Sequence, residues 1–199
     1  AVFISDIKDG SKKILEIHFS KFKRLQYNRK GWWRWVDAWR TKQDERIARR
    51  FDRFVVLTEE DKANWGDMDN ICVIPNANTF STKQTSLLNT RKVISIGRYS
   101  YQKGFDRLIK AWKTVNRVCP KWTLDIIGEG EEKSKLQSLI YHENLDGSVR
   151  LMPATSDIIN VYLGASVVAM SSHYEGLPMV LLEAQSLGLP IVAFACQCG

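Results

Sequence analysis

Short apolar segments alternate regularly with amphipathic segments over the second half of the chain. Apolar runs of strand length lie at 93–96, 123–127, 149–152, 166–171 and 191–195. Segments of helical length separate them, at 105–118, 132–142, 158–163 and 179–187. In the first of these, Phe105, Leu108, Ile109, Trp112 and Val115 follow the spacing of one helix face. Strands that alternate with helices predict right-handed crossovers, so we expect an α/β fold with a Rossmann-like parallel sheet flanked by helices.

The first half of the chain carries a shorter version of the same pattern. We predict strands at 14–19, 54–58 and 71–74. A short helix over 59–65 is predicted between the last two, because Thr58 is a good N-cap residue and acidic residues fill the first turn. Residues 76–91 are rich in Asn, Ser and Thr, which is typical of a linker. We therefore predict two domains, 1–78 and 79–199.

The composition is that of a globular chain with a hydrophobic core. Of the 199 residues, 44% are hydrophobic and 26% are charged. No apolar run approaches the roughly 18 residues that a transmembrane helix needs. The first residues lack the features of a signal peptide, and we expect the chain to be the middle of a longer protein. Its four cysteines show no metal-binding spacing, so we expect buried, reduced thiols and a cytosolic location.

A basic, tryptophan-rich segment interrupts the first half of the chain. The net charge is +7, and residues 21–53 carry most of the excess of Lys and Arg, together with Trp32, Trp33, Trp35 and Trp39. Such a patch indicates an anionic partner. Three interpretations stay open: contact with a membrane surface, binding of an anionic saccharide, or packing with the tryptophans inward. A non-catalytic membrane- or nucleic-acid-binding module is the alternative function.

Two cations follow the first strand of the second half. Gly97-Arg98 ends that strand, and Lys103-Gly104 opens the next helix. Because ligands of parallel sheets bind beyond the carboxyl ends of the strands, Arg98 and Lys103 are candidates for holding a diphosphate beside the helix N-terminus. The other interpretation is that both are solvated loop charges. The Gly128-x-Gly130 pair after the next strand is a weak signal that fits a tight turn.

Two carboxylates follow the fourth strand of the second half. Glu175-Gly176 lies in the loop, and Glu183 lies inside an otherwise apolar helix whose first turn follows Pro178. A buried carboxylate is costly unless it is hydrogen bonded. Ligand hydroxyls, such as those of a ribose, would satisfy Glu183, and so would a donor within the protein.

These segments together resemble glycosyltransferase family 4, the group 1 glycosyl transferases. The resemblance covers roughly 50–199 and rests on the Glu-x7-Glu spacing of Glu175 and Glu183 after Gly97-Arg98 and Lys103-Gly104. It implies the B-type fold of two Rossmann-like lobes. Residues 1–78 would then be a partial acceptor lobe, and 79–199 a partial nucleotide-sugar-binding lobe, within a fragment of a longer enzyme.

The resemblance also implies roles for individual residues. Arg98 and Lys103 would hold the donor diphosphate and stabilise the leaving nucleoside diphosphate in place of a metal ion. Glu175 would contact hydroxyls of the transferred sugar and act in catalysis by positioning it, while Glu183 would bind the ribose. Backbone N–H groups that would touch the sugar or phosphates belong to Gly176, Leu177 and Met179. His18 would lie in the acceptor lobe near the donor sugar, although a packed histidine is equally compatible.

The implied activity is that of a retaining, hexosyltransferase-type glycosyltransferase. It would use a UDP- or GDP-sugar without a cofactor or metal, and its acceptor would be a polysaccharide or a lipid-linked saccharide. Contact with the inner face of a membrane is compatible with this activity, whereas nucleic acid is not an expected partner. A phosphorylase or epimerase of related fold is the second enzyme interpretation. Asp67-x-Asp69 precedes a strand and reads as a polar turn rather than a metal site.

Overall fold

A computed structural model describes residues 2–21, 31–78, 80 and 83–196. The chain forms two compact units. The first comprises Ala1–Ala77 with Tyr174–Leu177 and Cys196–Gly199, and the second comprises Asn78–His173 with Pro178–Ala195. The segment that carries Glu175 therefore groups with the first unit, although the residues on either side of it belong to the second.

The first unit is a small parallel sheet with helices. Its elements are α1 (Val2–Asp6), β1 (Ile14–Glu16), α2 (Trp33–Ala48), β2 (Arg53–Val56), α3 (Glu59–Trp65) and β3 (Ile71–Val73). The strand order is β1-β2-β3, and both pairs are parallel. Phe54 packs edge-on against Trp65 in the core, with 4.8 Å between the ring centres. Thr58 caps α3 as predicted, because its hydroxyl accepts from the Asp61 N–H at 3.1 Å.

Helix α2 does not bury its tryptophans. Trp35 and Trp39 are 81% and 58% exposed, and Trp32 and Trp33 are exposed as well. The residues that α2 buries are Asp37 and Ala48, on the face opposite Trp35 and Trp39. In this chain, then, the interpretation that the tryptophans pack inward is wrong.

The second unit confirms the predicted parallel α/β fold. Its elements are β4 (Lys92–Ile96), α4 (Phe105–Val118), β5 (Thr123–Ile127), α5 (Lys133–His142), β6 (Val149–Met152), α6 (Ile158–Leu163), β7 (Val167–Met170), α7 (Met179–Ser186) and β8 (Ile191–Ala193). The strand order is β6-β5-β4-β7-β8, with every pair parallel. All carboxyl ends consequently lie along one edge of the sheet.

Alternate side chains of the central strand face two separate cores. Val93 belongs to a cluster with α4 and α5, whereas Ile94 belongs to a cluster with α6 and α7. Helix α4 buries Phe105, Leu108, Ile109 and Trp112, four of the five residues that the sequence predicts for this face, whereas Val115 is exposed. Each such side chain contributes about 1.5–3 kcal/mol when it leaves water. The helices are thereby fixed to the sheet, and so are the turns that precede them.

The cysteines do not follow the prediction of buried thiols. Cys119 is exposed, because it lies at the C-terminal end of α4 beyond the buried face, and Cys72 and Cys196 are half-buried. Cys198 lies outside the described residues. No helix in the described part of the chain is long and apolar enough to cross a membrane.

Candidate functional site

Arg98 lies directly beyond β4, at the carboxyl edge of the second unit. Its guanidinium pairs with Glu131, at 3.1 Å between Nη2 and Oε2, and its side chain is 74% exposed. The backbone N–H of Glu131 and the Arg98 cation both lower the pKa of the Glu131 carboxyl. An ion pair this exposed is worth little, so a phosphate could exchange for Glu131 at low cost.

Lys103 ends a short 3₁₀ turn, Tyr101–Lys103, that leads into α4. Its aliphatic stem lies along Gly97, where an added Cβ would come within 3.0 Å of Lys103 Cε. The glycine therefore gives the lysine room to fold back over the end of β4. The structure thus brings Lys103 to the turn that carries Arg98, as the diphosphate hypothesis requires.

The turns after β4 and β5 are in direct backbone contact. A Cβ at Gly128 would lie 1.9 Å from the Gly97 carbonyl oxygen, and one at Gly130 would lie 2.4 Å from that of Tyr99. The Tyr99 N–H also donates to the Glu129 carbonyl at 2.8 Å. The Gly128-x-Gly130 pair is therefore a packing requirement of this edge, which agrees with the tight turn predicted for it.

Glu183 accepts a hydrogen bond from within the protein. It lies half-buried in α7, and the hydroxyl of Tyr162 donates to its Oε2 at 2.6 Å. Burial raises the pKa of the fully buried Tyr162, and the neighbouring carboxylate raises it further. Since a carboxylate accepts up to about four hydrogen bonds, one phenol donor leaves capacity for ligand hydroxyls. Met179 begins α7, so its N–H has no partner within the helix.

His18 and Gly176 lie together in the first unit. A Cβ at Gly176 would be 2.7 Å from the His18 carbonyl oxygen and 3.2 Å from Phe19 Cα. The His18 imidazole is 57% exposed, with Nε2 3.1 Å from Oε1 of Glu16. Glu175 is buried, at 7% exposure, while Leu177 is half-buried. The backbones of two predicted site residues of the first unit, His18 and Gly176, are thus in contact.

Tyr162 is a residue of the site that the motifs did not reveal. Its signal in the sequence was a tyrosine on the apolar helix 158–163, because a buried phenol needs a hydrogen-bond partner. In the part of the chain that the structure describes, no three His, Cys, Asp or Glu side chains are grouped to hold a metal ion. Asp67 and Asp69 precede β3, and the Asp67 carbonyl accepts from Arg49.

Substitution of Tyr162 by phenylalanine should lower the stability of the second unit modestly. The change keeps the ring in its contact with Phe80, 5.8 Å away, and removes only the hydroxyl that donates to Glu183. We expect a loss of about 1–3 kcal/mol in the free energy of unfolding, measured by urea denaturation. Tyr141→Phe, on the exposed face of α5, is the control and should change nothing. Equal stability of the two variants would contradict the role of the hydroxyl.

Comparisons with known proteins place the chain in one family. The family model of the group 1 glycosyl transferases matches residues 77–199. An uncharacterized glycosyltransferase of Haemophilus influenzae is 38% identical over 152 residues, covering 74% of this chain and 43% of its own length. The amylovoran biosynthesis glycosyltransferase AmsD of Erwinia amylovora is 37% identical over 158 residues, covering 74% of this chain and 44% of its own length. The chain thus spans less than half the length of these relatives.

Solved structures share the fold. TarM superposes with a TM-score of 0.82 at 24% identity, over 98% of this chain and 39% of that protein. WaaG, a glycosyltransferase involved in lipopolysaccharide biosynthesis, gives a TM-score of 0.74 at 17% identity, over 94% of this chain and 57% of WaaG. These structures agree with the predicted B-type architecture of parallel α/β lobes. The family match gives no support to the alternative function, a non-catalytic basic module. By its sequence and its fold, this chain is a member of the group 1 glycosyl transferases.

Proposed function

We propose that the chain is the donor-binding part of a retaining glycosyltransferase that uses a nucleoside diphosphate sugar, foremost a UDP-sugar. The observation that carries the proposal is that the Lys103 stem lies against Gly97, next to Arg98, at the carboxyl edge of the second unit. Two cations beside the start of a helix suit a diphosphate. Among the structural neighbours, TarM has been crystallised with UDP, and HepE of Anabaena with UDP and glucose.

In the proposed reaction, the bond between sugar C1 and the β-phosphate oxygen breaks, and the oxygen keeps the electron pair. The acceptor hydroxyl forms the new bond to C1 on the same face, and its proton passes to the departing phosphate. Arg98 and Lys103 stabilise the negative charge that develops on the leaving group, the role that a metal ion plays elsewhere. Glu183 binds the ribose and Glu175 orients the sugar. The backbone N–H groups of Gly176, Leu177 and Met179 hold the sugar or phosphates.

His18 is proposed to act on the acceptor side of the reaction. Its exposed imidazole is available to a ligand, and its carbonyl lies against Gly176. In the intact enzyme, substitution of His18 is therefore expected to lower turnover more than donor binding. The acceptor that we propose is a polysaccharide or lipid-linked saccharide, since AmsD is named for amylovoran biosynthesis and WaaG for lipopolysaccharide biosynthesis.

Calorimetric titration with UDP, GDP and ADP tests the donor proposal. We expect UDP or GDP to bind more tightly than ADP, with an affinity that depends on Lys103 and Glu183. Salt should weaken this binding far less than it weakens binding of a nucleic acid, because a diphosphate releases few counterions. Absence of binding by all three nucleotides would contradict the proposal, and tight, steeply salt-dependent binding of DNA would favour the alternative module.

We further propose that helix α2 meets the anionic inner face of a membrane. Its exposed face carries aromatic residues at one end and cations at the other, at helical spacing: Trp32, Trp35, Trp39, Lys42, Arg46 and Arg49. Tryptophan favours the boundary between lipid and water, and Lys or Arg attracts anionic headgroups. A cytoplasmic enzyme with a lipid-linked acceptor would work at that surface.

Cosedimentation with vesicles tests this surface. The chain is expected to bind vesicles that contain phosphatidylglycerol and to bind pure phosphatidylcholine much more weakly. Arg46→Gln should lower the vesicle affinity about fivefold, since each basic residue near the surface contributes about 1 kcal/mol. Arg117→Gln, on the exposed end of α4 in the second unit, is the matched control. Equal binding to both kinds of vesicle, or binding only to an anionic polysaccharide, would contradict the membrane proposal.

A further inference from the structure

Arg107 makes an unusual set of contacts at the carboxyl edge of the second unit. It lies in the first turn of α4, and its Nε donates to the Ser171 carbonyl at 2.8 Å while its Nη2 donates to the Ser172 carbonyl. The face of the guanidinium lies over the Phe194 ring, 4.6 Å from the ring centre. The segment after β7 therefore holds the edge of the guanidinium, and Phe194, the residue after β8, holds its face.

The same segment after β7 is tied to the turn that carries Lys103. The hydroxyl of Ser171 donates to the Lys103 carbonyl at 2.9 Å, and the His173 N–H donates to the Gln102 carbonyl at 2.8 Å. Gly104 completes the contact, because a Cβ there would lie 2.3 Å from the Ser171 carbonyl oxygen and 3.0 Å from Arg107 Nε. The backbone of Gly104 also has a left-handed φ of 59°, which favours glycine.

We infer that Arg107 is a positioning residue for the donor diphosphate, acting through Lys103. The contacts of Arg107, Ser171, His173 and Gly104 join the end of β7 to both sides of Lys103, whose side chain then runs back along Gly97. Arg107 supplies the charge-assisted bonds of this set, which are stronger than neutral ones. The inference rests on the proposed role of Lys103 in holding the diphosphate.

The guanidinium is specifically suited to this position. Two neighbouring carbonyls accept from two different nitrogens of its planar fork, and a lysine ammonium cannot reproduce that geometry. The ring of Tyr101, on the turn that carries Lys103, stacks nearly parallel on the ring of His173, on the segment after β7, with 4.4 Å between the ring centres. Burial and the nearby Arg107 cation lower the pKa of His173.

The test compares Arg107→Met and Arg107→Lys with the wild-type chain, using UDP and uridine as probes. Arg107→Met should weaken UDP binding about tenfold, because about 1.4 kcal/mol of diphosphate binding is lost. The dissociation constant for uridine, measured by ligand-observed NMR, should stay within about twofold of the wild-type value, since uridine has no phosphate. Arg107→Lys should recover only part of the UDP affinity. Arg117→Met, at the exposed end of the same helix, is the matched control and should bind like the wild type.

Hydrogen exchange at the His173 amide separates this inference from the proposed function. In Arg107→Met that amide should exchange about tenfold faster, whether or not nucleotide is bound, because its acceptor turn is no longer held. Faster exchange with no UDP binding by the wild type would overturn the proposed function and with it the link to the diphosphate. Unchanged exchange, or equal losses of UDP and uridine affinity, would overturn the positioning role itself.

Discussion

Replacement of Lys103 by methionine is expected to remove most of the affinity for UDP without changing the unfolding transition. Methionine keeps the apolar contact along Gly97, where the lysine stem lies, and deletes only the ammonium group. A hydrogen bond to a charged group contributes about 1.5–3 kcal/mol, so the dissociation constant should rise roughly 10- to 150-fold. Calorimetric titration with UDP measures the loss, and thermal unfolding followed by circular dichroism verifies the fold.

The control for this experiment is Lys110→Met. Lys110 is an exposed residue within α4, whereas Lys103 lies on the turn before that helix. It carries the same charge, so its removal reproduces the change in net charge without touching the proposed site. We expect less than a twofold effect on UDP binding, because an exposed charge at a distance is screened by salt. Similar losses in the two variants would mean that Lys103 acts only through the overall charge.

Substitution of Gly128 by alanine should destabilise the second unit severely. The new methyl group would lie 1.9 Å from the Gly97 carbonyl oxygen, a backbone atom that cannot rotate away. Gly97 is itself held, since its N–H donates to the Ile127 carbonyl at 3.0 Å. Relief requires separation of the turns after β4 and β5, and we expect a loss of at least about 3 kcal/mol in the free energy of unfolding.

Gly147→Ala is the matched control for Gly128→Ala. It makes the same chemical change in the same unit, and an added Cβ there meets no atom within 4 Å. Urea denaturation should place this variant within about 0.5 kcal/mol of the wild type. A Gly128→Ala variant as stable as Gly147→Ala would contradict the close backbone contact between the two turns.

The regular elements of the second unit follow from its sequence because their signals are local. Helix α4 begins and ends where the apolar spacing of Phe105, Leu108, Ile109 and Trp112 predicts, and β5 and β6 match their apolar runs. The edge at which Arg98 and Lys103 meet was also predictable, since parallel strands end on one side of a sheet. Local periodicity and one topological rule were enough to predict these helices and strands and the edge of the sheet that carries Arg98 and Lys103.

Partners that are distant in sequence were beyond such reasoning. Tyr162 and Glu183 are 21 positions apart, on the helices either side of β7, and Arg107 lies 64 positions from Ser171, so no local pattern pairs them. The interpretation that the tryptophans of α2 pack inward failed for a different reason. Tryptophan is usually buried, yet this helix buries Asp37 and Ala48 and leaves Trp35 in solvent, so residue type indicated the wrong face.

A crystal structure of the chain with UDP tests the central claim most directly. The account predicts diphosphate oxygens within hydrogen-bond distance of Lys103 Nζ and the Arg98 guanidinium, and ribose hydroxyls on Glu183. Arg98 would then have released Glu131, its partner at 3.1 Å in the free chain. Density for the diphosphate elsewhere would contradict the account. A cavity of about 420 Å³ in the second unit, which Lys92, Asp125 and Met152 help to line, is another place where it could lie.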